Sequence, residues 1–217
     1  MNTYMMDTKS EIWTKRSGWG QIPVVLISGG PGIANYMEPI AKLLQEEFDV
    51  IQFDPAGTGR SLAVNEPHGL DYCIEDLEYI RRTHNIEKWW VIGHFWGADV
   101  ALAYSLTKSS SLLGVISIAG TGIQNDQDWK AAYLENKEAY GEQSPQFVYP
   151  VNQVIHRSLL ESWRVFIKQP NLLKRISEID LPFLFLLAEK DIRPSWPIQQ
   201  LAALIKTSES KAIQECM

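Results

Sequence analysis

The 217 residues predict an α/β chain built on a mainly parallel sheet with helices on both faces. Two observations carry this. Short apolar and β-branched runs alternate with stretches of helical period from one end of the sequence to the other. Most of the runs also close in glycine or proline turn chemistry, as at Gly29-Gly30-Pro31-Gly32 and Gly120-Thr121-Gly122. With 45% hydrophobic residues the chain can bury one good core, so its length favours a single domain carrying an insertion over two full domains.

The elements follow in order. A first strand is predicted over residues 23–28, then a helix over 36–46 and a second strand over 49–53. Residues 54–61 read as a turn. Apolar residues at Tyr72, Ile74, Leu77, Tyr79 and Ile80 predict a helix over 72–83, and residues 89–93 form the next strand. A buried helix is expected over 95–106 and another strand over 112–119. From 124 to about 180 the strand signal lapses, leaving helical pieces at 129–140 and 152–168 separated by Gly141, Pro145, Pro150 and Pro170. Residues 123–180 are therefore expected to form a helical cap inserted in a core made of residues 1–122 and 181–217. The sheet resumes at 182–188, a helix follows at 197–205, and a last strand begins at 211–215. There is no internal repeat or low-complexity segment.

Bulk properties exclude several classes of function. The net charge of −6 comes from mixed signs, with no basic stripe for nucleic acid and no acidic tail. Cys73 and Cys216 give neither a disulfide framework nor a metal-ligand spacing, and His68, His84 and His156 lack ligand partners at useful intervals, so no metal or cofactor is expected. Residues 1–11 contain Lys9 but no apolar signal core, and no apolar run is long enough to cross a bilayer. A cytoplasmic protein without membrane attachment is the expectation, its oligomeric state left open. Eight tryptophans and 11% aromatic residues, several outside the core strands, favour an aromatic-lined pocket.

The chemistry is concentrated in Gly93-His94-Phe95-Trp96-Gly97. Glycines two places either side of a central residue, between a strand and a helix, are the pattern of a nucleophile elbow, whose central residue sits at positive φ. Here that residue is phenylalanine, which has nothing to attack with. Gly29 and Gly30 end the first strand, where the Gly30 N–H, with the Trp96 N–H, could form an oxyanion hole. His94 is expected to pack into the fold. Gly57 and Gly59 lack the Lys and Ser or Thr of a phosphate loop, so Asp54 and Arg60 are read as pinning a loop beside the site. Asp191 follows a buried strand, where a triad carboxylate would stand.

Taken together these residues resemble the α/β-hydrolase superfamily, and within it the capped serine hydrolases similar to proline iminopeptidase. The resemblance runs from about residue 21 to the end and rests on Gly29-Gly30-Pro31-Gly32, Gly57-Thr58-Gly59-Arg60-Ser61, the elbow, and Asp191-Ile192-Arg193-Pro194. It implies the α/β-hydrolase fold with a helical cap. It also implies acyl transfer to water by Ser, His and Asp, acting on peptides with a free amino terminus or on small esters and amides. A cap carboxylate would bind the amine, with Glu135, Glu138, Glu142 and Glu161 as candidates. Family members usually have His where this chain has Ser28, and Ser where it has Phe95.

Two catalytic positions depart from that pattern, because Phe95 replaces the nucleophile and no histidine follows Asp191 in the sequence, which is expected to be C-terminally truncated relative to the family. Without nucleophile or base, only oxyanion and binding effects of about 10³ to 10⁴ over water remain. The expectation is a catalytically impaired hydrolase. Its alternatives are a binding module, with a small-molecule, peptide or ester ligand or a protein partner at the capped pocket, and an enzyme improvising with Ser28 or Cys216.

Overall fold

The computed structural model describes residues 12–62, 68–124, 126–141 and 147–213. Seven strands form one sheet in the order β1-β3-β2-β4-β5-β6-β7. The six strands β2 (Ile22–Ile27), β3 (Phe48–Phe53), β4 (Trp89–His94), β5 (Leu112–Ile118), β6 (Phe183–Ala188) and β7 (Ser208–Ile213) run parallel. β1 (Thr14–Ser17) pairs antiparallel with β3 at the edge, Thr14 opposite Phe53. The fold is the one predicted, with two corrections at its margins. β1 escapes a sequence reading because Thr-Lys-Arg-Ser carries no apolar alternation, as suits a half-exposed edge. β7 begins three residues earlier than predicted, since its polar, exposed residues give little periodicity; positions 214–217, with Cys216, lie outside the described residues.

The strands bury both faces. On one, Val24, Leu26, Val50 and Ile92 pack with Met37 and Ala41, the latter from α1 (Glu38–Leu44). On the other, Val25, Ile27, Ile51, Phe53, Val91, Val115 and Phe185 meet α2 (Leu70–Thr83), α3 (Trp96–Thr107) and α7 (Trp196–Leu204). Alternating residues of one strand thus fall into separate clusters, as the period of two requires. Tyr104 of α3 donates to Glu78 of α2 at 2.5 Å, and Arg81 bridges the same carboxylate. These bonds hold the Glu78 carboxyl down at about 2, the arginine contributing most.

Between β5 and β6 lie α4 (Gln127–Tyr140), α5 (Gln153–Phe166) and α6 (Leu172–Ser177). α4 buries none of its residues. α5 is different. Ile155, Leu159, Trp163 and Phe166 form a buried stripe at helical spacing, Trp163 meeting Trp96 edge-on at 5.8 Å. Asn152 caps its first turn, and also donates through Nδ2 to the Gly57 carbonyl at 3.0 Å and through its backbone N–H to the Gly32 carbonyl at 2.9 Å. His156 adds a bond from Nδ1 to the Pro31 carbonyl at 2.9 Å. The start of α5 is therefore fastened to both turns at the carboxyl ends of β2 and β3.

Candidate functional site

The chain leaves β4 and enters α3 through Phe95 alone, at φ 50° and ψ −114°. The sequence reading began the helix at residue 95, but this positive φ puts Phe95 outside it. The glycines explain why the turn can close. A Cβ on Gly93 would collide with the Gly97 carbonyl oxygen, and one on Gly97 with that of Ile27. Only hydrogen fits at either position. The Phe95 N–H donates to the Ile118 carbonyl at 3.0 Å, and its carbonyl receives the Ala98 N–H at 3.0 Å, so the residue is fixed from both sides.

Its ring lies between two others of the site. The His94 imidazole stacks on it, centroids 3.7 Å apart, and the Arg193 guanidinium carbon sits 3.4 Å from its centroid. Arg193 in turn holds Asp191. Oδ1 of Asp191 accepts the Arg193 backbone N–H and Nε–H, each at 2.9 Å, and forms an ion pair with Nη2 at 2.8 Å. Asp191 thus contacts an arginine rather than a histidine. The sequence marks Arg193 only as part of Asp191-Ile192-Arg193-Pro194 and gives it no role, because its contact with Phe95 arises only when the loop after β6 meets the elbow.

His94 is half-buried and reaches the cavity described below. The Gly29 N–H donates to Tyr36 Oη at 2.8 Å, which directs the phenol proton to His94 Nδ1, 2.7 Å away. With the phenol donating, both Tyr36 bonds are made and the imidazole is the Nε2–H tautomer. Burial, and secondarily Arg193, bring its pKa down to about 4; burial pushes Tyr36 up to about 12. Both are neutral at pH 7.

These groups line a cavity of about 960 Å³ at the carboxyl ends of the strands. Gly29, Gly30, Tyr36, His94, Phe95, Asp191 and Arg193 all face it, along with Phe147 and, from the end of α4, Ala139, Tyr140 and Gly141. Trp96 does not line it; its ring is buried against α5. Among the carboxylates expected to bind an amine, Glu135, Glu138 and Glu161 are absent from the lining, and Glu142 lies outside the described residues. Ser28 is buried, its Oγ without a hydrogen-bond partner among the described residues, and it does not line the cavity.

Asp54 is fully buried and accepts Asn35 N–H, Arg60 N–H, Arg60 Nε and Arg60 Nη2, while the Arg60 guanidinium covers Trp13. The turn beside the site is thereby pinned. A second acid, Asp99 in the first turn of α3, is also buried and accepts bonds from the Thr121 hydroxyl and the backbone N–H groups of Thr121 and Gly122. Burial outweighs those bonds and raises its pKa to about 7. Asp99 carries no distinguishing signal in the sequence, since an acid in a first helical turn is ordinary. Among the described residues no group of three or more His, Cys, Asp or Glu converges as a metal site, and no helix is long and apolar enough to cross a membrane.

The parallel sheet, the glycine turn and the strand-to-helix elbow define an α/β-hydrolase, and a family profile described as "alpha/beta hydrolase fold" matches residues 22–201. The chain belongs to that family. It is 36% identical over 102 residues to a proline iminopeptidase of Heyndrickxia coagulans, covering 45% of this chain and 34% of that one. It is 27% identical over 157 residues to one of Neisseria gonorrhoeae, covering 70% and 50%. The matched region thus spans half or less of those relatives' length. Among solved structures, a proline iminopeptidase of Mycobacterium smegmatis superposes with a TM-score of 0.72 at 19% identity, covering 95% of this chain and 88% of the other, which extends the likeness in fold to nearly the whole chain.

Proposed function

We propose that this chain derives from a serine hydrolase of the aminopeptidase, esterase or amidase kind, no longer runs the Ser-His-Asp reaction, and keeps its cavity as a ligand site. The observation that carries the reading is the aromatic ring at the apex of the elbow, held between His94 and Arg193. A ring there supplies no nucleophilic atom. It also occupies the place from which a serine would attack, in a backbone conformation that suits the serine of an elbow better than a bulky residue.

In the parent reaction the Gly30 and Trp96 N–H groups would hold the oxyanion and Asp191 would orient the base. In this chain Asp191 is paired with Arg193, which cannot accept a proton near neutral pH. That pairing supports impairment independently of residue 95. Residues 1–122 and 181–217 are assigned to the catalytic core and 123–180 to a cap; what supports the division is that the end of α4 borders the cavity. Ser28 has no place in the mechanism, since it does not border the cavity.

Incubation with a fluorophosphonate probe, followed by intact-protein mass measurement, tests the reading. No adduct is expected. Stoichiometric labelling suppressed by a small ester would overturn it. Retention of a ligand site is read separately by thermal shift, where a ligand at 100 times its Kd adds about 2.7 kcal/mol.

A further inference from the structure

The cavity's charge is opposite to that of the molecule. The chain carries a net −6, yet the charged side chains lining the cavity, among the described residues, are Lys190, Asp191 and Arg193. Arg193 pairs with Asp191 at 2.8 Å, so Lys190 leaves the described lining with one net positive charge. Unspent donors point the same way. Arg193 donates Nε–H to Asp191 and sets Nη2 against the same oxygen as an ion pair, and its Nη1 makes no hydrogen bond among the described residues. His94, in the Nε2–H tautomer that a donating Tyr36 hydroxyl sets, carries one N–H, on Nε2, and no described residue accepts it. Around these polar groups the wall is apolar, with Ile33, Ile118, Phe147, Leu186 and Ile192.

An amine would find little here. Among the described residues the one carboxylate on the lining is Asp191, and Glu135, Glu138 and Glu161 are absent from it. We propose that the cavity takes a small apolar carboxylate, its anionic head at Arg193 and Lys190, a carboxylate oxygen accepting from His94 Nε2–H, and its hydrocarbon or aromatic body against the apolar wall. The inference rests on the cavity being a ligand site, and goes beyond it by assigning the sign of the ligand's charge. The parent family's free-amine peptides would then be excluded.

Three probes of one shape separate the possibilities: phenylacetate, phenethylamine and phenylacetamide, titrated calorimetrically into the full chain. Phenylacetate is expected to bind at least roughly 10-fold more tightly than the amine, the value of one charge-assisted hydrogen bond. Asp191→Asn removes the competing carboxylate with little change of shape. It should tighten phenylacetate binding several-fold, whereas a site for cations would lose affinity for the amine. Arg193→Met should abolish phenylacetate binding; should that variant fail to fold, Lys190→Gln provides the same test with an expected several-fold loss. Preference for the amine or the amide, or weaker phenylacetate binding in Asp191→Asn, overturns the anion assignment and leaves the cavity a ligand site. Failure of all three probes at millimolar concentration overturns the assignment, while the loss of acyl transfer is judged by the fluorophosphonate adduct alone.

Discussion

The Arg193 guanidinium carbon lies 3.4 Å from the centroid of the Phe95 ring, while the same guanidinium donates Nε–H to Asp191 and pairs Nη2 with the same oxygen at 2.8 Å. Acid, cation and ring stand in line. A working triad sets acid, imidazole and hydroxyl in that order, with the middle group passing a proton. An arginine in the middle keeps its proton, so the arrangement serves electrostatics and packing instead. Charge on Asp191 is neutralised, and the positive charge that neutralises it rests on the negative face of a ring.

That stack should be measurable as a coupling between its two members. Phe95→Leu keeps an apolar side chain and removes the quadrupole; Arg193→Met keeps the stem and removes the charge. In a double-mutant cycle read by urea denaturation, the pair is expected to show a favourable coupling of about 1 kcal/mol. The unpaired Asp191 left by Arg193→Met is common to both backgrounds and cancels. A coupling indistinguishable from zero would make the stack incidental.

The elbow glycines give a prediction of another kind. Gly93→Ala drives a methyl into the Gly97 carbonyl, where only backbone can yield, and should cost about 3 kcal/mol or more. Gly141→Ala makes the comparison. Its φ of +72° is unfavourable for alanine, but no described residue lies within 4 Å of the new methyl, so about 1 kcal/mol is expected from the backbone term alone. Equal losses in the two variants, measured by thermal unfolding, would show that the strand-to-helix contact is looser than the geometry implies.

This contrast also accounts for what could be read from the sequence. Gly93 and Gly97 are legible because close approach of strand and helix forbids any other residue, so the constraint is written into the residues themselves. Leu26 and Ile51 are legible for a related reason, being fully buried in the middle of apolar runs. Arg193 is not. An arginine two positions after an acid in a loop is commonplace, and its contact with Phe95 depends on how a loop after β6 meets a turn after β4. Tyr36 escapes likewise, since its hydroxyl matters only through two partners distant in sequence, Gly29 by seven residues and His94 by 58. The missing carboxylates teach the converse. Glu135 and Glu138 sit in the helix whose last residues line the cavity, but helical rotation decides which side chains reach it, and Ala139 and Tyr140 do.

Two buried groups near the elbow should tilt the stability curve in opposite directions over the same pH range. Asp99 has a folded pKa of about 7 against an ordinary 3.8, so the folded state binds the extra proton and stability falls as pH rises between those values. His94 has a folded pKa of about 4 against 6.5, so the unfolded state binds the extra proton and stability rises with pH between them. The two effects largely offset each other in the native chain. Asp99→Asn should leave a curve that climbs more steeply from pH 4 to 6.5, and His94→Gln one that declines, each by on the order of 1 kcal/mol per pH unit at most. Melting temperatures at pH 5 and pH 7 suffice to read the signs, and a variant tilting the wrong way would refute the protonation states assigned here.

The Gly29–Tyr36–His94 chain fixes which nitrogen of His94 carries hydrogen, and removing its middle member should release that choice. In Tyr36→Phe the ring remains to pack beside His94 and Phe147, but the Gly29 N–H loses its acceptor and His94 Nδ1 loses its donor. Leaving such a group unsatisfied costs about 1–3 kcal/mol. A lost donor to Nδ1 also removes what stabilises the neutral ring, so the pKa of His94 should rise from its depressed value. Nitrogen NMR of the imidazole reports both changes. The native chain is expected to show a single Nε2–H tautomer throughout pH 5–8, and the variant a mixture of tautomers that titrates at higher pH. A native spectrum with hydrogen on Nδ1 would reverse the direction of the chain, remove the Nε2–H donor from the cavity, and withdraw His94 from the carboxylate site while leaving Arg193 and Lys190 in place.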